Sequence, residues 1–184
     1  HFTLTEAIRP AWQLGIIPEA GYRYDSYRDS VTGENLPAIV AAVSSERLFD
    51  TFLQLIESLG DACDVVLESS HEHKSSPKEY RREESYLSSP ASGIWNFEDL
   101  LLNDGCTSIA VLHSEEPFEV QLDEHKLLIT YGPAMQTFET ILHEQGVRQK
   151  RNLRVISQGD HMHTSTNHYM TQFEDLVSHL HADL

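Results

Sequence analysis

Two hydrophobic periods alternate along the chain. Leu36 to Val43 is a continuous apolar run (LPAIVAAV), which predicts a strand buried on both faces. Ser44 or Ser45 then offers a helix N-cap. Leu48, Phe49, Phe52, Leu53, Ile56 and Leu59 fall on one stripe of a 3.6-residue period, and Gly60 is placed to end that helix. Val65-Val66-Leu67 predicts the next strand. Strand, helix and strand with short joints read as a βαβ unit, so these two strands are expected to be parallel.

The same alternation continues downstream. Thr107 to His113 predicts a strand, and Phe118–Leu122 with Lys126–Tyr131 predicts a hairpin around Asp123-Glu124-His125. Pro133 suits the first turn of a helix that buries Met135, Phe138, Ile141 and Leu142 and stops at Gly146. Leu153 to Ser157 reads as a strand. Thr166 caps a last helix, whose stripe is Tyr169, Met170, Phe173, Leu176, Val177 and Leu180. Three stretches are less regular. Thr3 and Glu6 have capping-box spacing and predict a short helix toward Gln13, interrupted at Pro10. Tyr22 and Tyr24 alternate with charges and predict a half-exposed strand. Glu68 to Gly93 is polar and serine-rich, and reads as a long surface loop before a helix at 94–103.

An internal similarity joins the two halves. With residue 37 set against 126, Ala38-Ile39-Val40 faces Leu127-Leu128-Ile129, and Phe49-Asp50-Thr51-Phe52-Leu53 faces Phe138-Glu139-Thr140-Ile141-Leu142. His71-Glu72-His73 faces His161-Met162-His163 one residue later, and Phe97-Glu98-Asp99-Leu100 faces Phe173-Glu174-Asp175-Leu176. The expected fold is therefore α/β (α+β) in a single domain over 1–184, with pseudo-repeats near 22–104 and 117–182. Two ββαβα units would build a mixed sheet of about 6–7 strands with helices packed on it.

Charge narrows the function classes. The 184 residues carry 13 Lys plus Arg against 29 Asp plus Glu, a formal net charge of −16. That excludes a general nucleic-acid binder and an anionic membrane surface, because both would repel the chain. Apolar residues at 40%, including seven Phe and seven Tyr, exclude a disordered chain. No apolar run reaches the length of a membrane span. A cytoplasmic location is the default expectation, with a removed leader compatible with the start at His1. Cys63 and Cys106 are expected as reduced thiols. The phosphate-loop, dinucleotide-loop, GxSxG, CxxC and HExxH patterns are all absent from the sequence.

The two HxH elements are the candidate chemistry. Residues i and i+2 of a strand share one side, so two imidazoles can reach one ion. Histidine is the commonest transition-metal ligand, and carboxylates complete such sites. His71, His73, Asp160, His161 and His163 are the candidate ligands for a divalent metal such as zinc, with Glu68, Glu72 or Asp160 as a base. His161-Met162-His163 followed by Tyr169 also resembles the His-hydrophobe-His motif and tyrosine nucleophile of HUH nucleases, which would imply DNA cleavage by Tyr169. The sequence departs from that pattern in the polar run Thr164-Ser165-Thr166 and in its acidic charge. Glu98-Asp99 and Glu174-Asp175 suit the N-terminal ends of helices. Arg148, Lys150, Arg151 and Arg154 form a local basic cluster that could meet an anion or an acidic partner. Two functions follow. The first expectation is a non-catalytic binding or regulatory module for an unidentified protein or small molecule, acting through the cleft between the repeats and the 68–93 segment. The alternative is a metal-dependent hydrolase built on the duplicated HxH pairs.

Overall fold

Seven strands form one sheet in which every neighbouring pair is antiparallel. The computed structural model describes residues 1–28, 32–72 and 75–184. Along the chain come β1 (Ile8–Pro10), β2 (Gly21–Arg28), β3 (Asn35–Ala42), α1 (Ser45–Glu57), β4 (Cys63–Ser69), β5 (Lys78–Ser85), α2 (Glu98–Asn103) and β6 (Thr107–His113). They are followed by β7 (Glu119–Leu122), β8 (Leu128–Tyr131), α3 (Gln136–Glu144), β9 (His161–His163) and α4 (Asn167–His179). The sheet order is β2-β3-β8-β7-β6-β4-β5, and β1 pairs with β9 in a separate two-stranded sheet.

The expectation of a mixed sheet is corrected here. β3 and β4 do point the same way, but β8, β7 and β6 lie between them, so no parallel pair forms. The crossover through α1 spans those positions, and hairpins fill the gap. A hairpin followed by a helix does occur twice, as β2-β3-α1 and β7-β8-α3, with β3 against β8. The structure does not show two like ββαβα units in one sheet: after α3 the chain makes a parallel bridge, Gln149 to Tyr22, and its next strand, β9, lies outside the seven-stranded sheet, whereas β4 lies within it.

Strand alternation sorts the two faces. Ile39, Ala41, Leu128, Val120, Leu122, Ile109, Val111, Val65 and Leu67 point to one side and are buried with Leu48, Phe52 and Leu55 of α1, Leu142 of α3 and Leu176 of α4. At about 25 cal/mol per Å² of apolar surface removed from water, this face supplies the main drive for folding. The opposite face carries Val66, Ala110 and Leu112 on β4 and β6, and a covered apolar cluster on β3 and β8. There Ala42 and Leu127, with Val40 and Ile129, are covered by Leu153, Val155 and Phe2. The expected strand at 153–157 is thus a cover rather than a strand. Ile156–Gln158 forms a 3-10 turn, and Arg23 holds the segment by donating to the Leu153 carbonyl and to Gln158 Oε1.

Two further expectations change. The N-terminal helix is absent because its capping groups find partners elsewhere. Thr3 N–H donates to Ser44 Oγ at 2.9 Å, and Glu6 N–H donates to Asn103 Oδ1 at 3.1 Å. The 68–93 segment contains β5, which pairs antiparallel with β4 as the outer strand of the sheet. Other expectations hold. Thr166 Oγ1 accepts from Tyr169 N–H at the start of α4, β7 and β8 form the hairpin, and both cysteines are free. Among the described residues, no helix is long and apolar enough to cross a membrane.

Candidate metal centre

Three histidines from two elements meet beside one end of the sheet. His161 and His163 project from β9, and His125 projects from the β7–β8 turn. Their ring centroids are 4.9 Å (His125–His161), 4.9 Å (His125–His163) and 5.1 Å (His161–His163) apart. One nitrogen from each ring lies within 4.8 Å of the others.

Each ring is held by its Nδ1. His161 Nδ1 bonds the Gly159 carbonyl at 2.7 Å, and His163 Nδ1 bonds the Gly105 carbonyl at 2.9 Å. His125 Nδ1 reaches Asp123 Oδ2 at 3.3 Å. Such bonds make Nδ1 the protonated nitrogen of a neutral imidazole and leave the Nε2 lone pair free. Burial, aided by neighbouring His125, pushes His163 below the usual histidine range and so toward that neutral form. Burial also lowers His125, but the Asp123 and Glu124 carboxylates outweigh it and raise the group overall.

The supports are local and tight. Asp123 Oδ1 accepts from His125 N–H at 3.0 Å and Leu127 N–H at 2.9 Å, which shapes the turn that carries His125. Lys126 sits in that turn at φ +59°, buried, with Nζ donating to the Thr107 carbonyl at 2.7 Å. Burial pushes its ammonium down to about 8. β9 is fixed by pairing Ile8 with His163 and Pro10 with His161, and by Gly105 N–H donating to the Thr164 carbonyl at 2.8 Å.

The sequence-expected ligands separate in space. His161 and His163 come together, while His71 belongs to another cluster. Its Nδ1 lies 2.6 Å from Ser69 Oγ and its Nε2 lies 2.6 Å from Asp104 Oδ2. Both nitrogens are therefore engaged. Asp104 has no exposed side-chain surface and also accepts from Thr107 Oγ1 at 2.6 Å and Cys106 N–H at 3.2 Å. Burial favours its protonated form, but the bonds from His71, Ser165 and Thr107 outweigh this and hold its pKa below the usual range. His73 lies outside the described residues. Asp160 is exposed, and its carbonyl accepts from Ala11 N–H at 2.9 Å. Tyr169 donates to Asp99 Oδ1 at 3.0 Å from the first turn of α4. His125 escaped sequence reasoning. The turn that bears it was visible, but no spacing rule relates it to residues 161 and 163.

A cavity of about 410 Å³ opens beside His163, lined in part by Glu68, Glu124, Ser70, Ser108 and Cys106. Glu68 and Ser108 face each other across β4 and β6 on the face without helices. Burial, aided by Glu79 and Glu124, pushes the Glu68 carboxyl up. A structural site usually closes four ligands around zinc, whereas three protein ligands leave a position for water. In comparisons with known proteins, no family model, no curated sequence and no solved structure matches this chain.

Proposed function

We propose that the protein is a metal-dependent hydrolase whose divalent transition metal, zinc or a close relative, is held by His125, His161 and His163. The observation that carries this reading is the engagement of all three Nδ1 atoms by oxygen acceptors, which leaves three Nε2 lone pairs on neighbouring rings. Tetrahedral zinc at 2.0–2.1 Å from each nitrogen needs nitrogens about 3.3 Å apart, so the rings, whose ligand atoms lie within 4.8 Å of one another, would draw together around the ion. The ion would lower the pKa of a bound water and polarise a carbonyl oxygen.

The other roles fall to the cavity residues. Glu124 lines the cavity, and its Oε1 lies 3.7 Å from His125 Nδ1. It would take a proton from the attacking water and return it to the leaving amine or alcohol as the carbonyl C–N or C–O bond breaks. Ser70 and Ser108 offer hydroxyls to orient the substrate.

The test begins with zinc and cobalt titration of metal-stripped protein. One ion should bind per chain, and His125→Ala should abolish binding as fully as His161→Ala/His163→Ala. Binding that survives His125→Ala would sink the proposed ligand set. For any ester or amide turned over by the loaded protein, Glu124→Gln should lower kcat by about 10²–10⁴-fold with the metal retained.

A further inference from the structure

We infer that the cavity beside the three-histidine site selects carbonyl substrates that carry a protonated amine, an amino-amide or amino-ester, with Glu68 receiving the ammonium and phosphate esters rejected. This inference rests on the metal-dependent reading above and names its substrate class.

The charge of the cavity wall carries it. Two carboxylates, Glu68 and Glu124, line the cavity together with hydroxyls, the Cys106 thiol and His163, and no lysine or arginine lines it among the described residues. Glu79 stands opposite Glu68 across β4 and β5, outside the cavity lining. Of the neighbouring cations, Arg81 lies on the same face and pairs with Glu79 at 3.9 Å, which leaves Glu68 and Glu124 as the carboxylates of the wall. Lys78 pairs with Glu72 at 2.5 Å, and Lys126 donates to the Thr107 carbonyl from a buried position.

Sites that transfer phosphoryl groups surround the equatorial oxygens with Arg, Lys or cationic metal clamps. Here a phosphate ester would meet carboxylates with only the ion to balance them. An ammonium would instead relieve the repulsion between Glu68 and Glu124. Glu68 is half-buried, so the attraction is screened less than at an open surface. With Glu124 beside the three histidines and Glu68 on the strand face, hydrolysis and recognition use different carboxylates.

The probe is a pair of metal-chelating hydroxamates that differ by an ammonium for a methyl: β-alanine hydroxamate and butyrohydroxamate. Each is titrated into cobalt-loaded protein, read by the visible spectrum of the ion, with inorganic phosphate as the third ligand. β-Alanine hydroxamate should bind at least about tenfold more tightly than butyrohydroxamate at low salt, and phosphate more weakly than either. Glu68→Gln should bring the two hydroxamates to nearly equal affinity while cobalt stoichiometry and butyrohydroxamate affinity stay unchanged. Cobalt bound with equal hydroxamate affinities in the parent protein, or with phosphate preferred, would overturn the amine selection alone. Failure of cobalt to bind would overturn the metal reading and this inference with it.

Discussion

At the residue scale, the site depends on two glycines whose carbonyls hold histidine rings. A Cβ on Gly105 would stand 2.4 Å from the Ala7 carbonyl oxygen and 2.9 Å from Thr164 N. A Cβ on Gly159 would stand 2.5 Å from the Leu14 carbonyl oxygen. Both clashes are with backbone, which cannot swing aside as a side chain can. Gly105→Ala is therefore expected to cost about 1–3 kcal/mol and to weaken cobalt binding, because the carbonyl it displaces orients His163. Urea unfolding alongside a cobalt titration checks both effects, and unchanged metal affinity would show that the loop does not position the ring. Asp104 is the other residue with large leverage. Asp104→Ala leaves His71 without its buried partner and should destabilise the protein by about 3–5 kcal/mol. Full stability in that variant would mean that the pair contributes little.

At the element scale, local chemistry and tertiary partners divide the work. α4 begins where its sequence says it should, with Thr166 Oγ1 accepting from Tyr169 N–H. Thr166→Ala should lower stability by about 0.5–2 kcal/mol, read as a drop in thermal midpoint, whereas Thr166→Ser should retain most of it. β5 shows the opposite case. Its sequence, Lys-Glu-Tyr-Arg-Arg-Glu-Glu-Ser, is too polar to announce a strand, yet it pairs with β4 along its length. The charges fit its place at the edge. They discourage pairing with another chain, and Arg81 exchanges both backbone bonds with Asp183. Replacing Glu79 and Arg82 by valine should produce concentration-dependent oligomers in size-exclusion chromatography. A strictly monomeric variant would argue that the edge is protected by geometry alone.

At the scale of the whole molecule, two kinds of carboxyl set the acid response. Burial holds Glu119 above the usual range despite its bond from Gln121 and the nearby Arg81. The folded chain then keeps a proton that the unfolded chain has lost, so stability rises as pH falls from neutral through that window. Asp104 has the opposite sign. Its pKa is lowered on folding, so its stabilisation is full above the ordinary aspartate range and disappears as pH falls through the folded value. With −16 charges relieved on mild acidification, the urea midpoint should peak at roughly pH 5 and decline below about pH 4. Glu119→Gln should raise the midpoint at pH 7 and flatten the gain between pH 7 and 5. A parent midpoint that falls steadily from pH 7 would count against this account.

What the sequence by itself determined is local. The stripe of Leu48, Phe49, Phe52 and Ile56 specifies α1, Thr166 starts α4, and the apolar runs around Asp123-Glu124-His125 specify a hairpin. Each rests on neighbours a few residues apart, where periodicity and capping act directly. Two of the three histidines of the proposed metal site were legible for the same reason, since the i and i+2 spacing of His161 and His163 places both rings on one side of a strand. Tertiary structure decided the rest. Three strands inserted between β3 and β4 turned an expected parallel pair into an antiparallel sheet, because partner choice depends on which surfaces remain to be buried. The 153–157 segment became a cover because β3 already had neighbours on both sides while its outer face still needed shielding. His71 joined Asp104, and His125 joined His161 and His163, across sequence separations over which no local periodicity acts. Chain folding alone brings the β7–β8 turn against β9, so the third histidine could be found only once the packing was known.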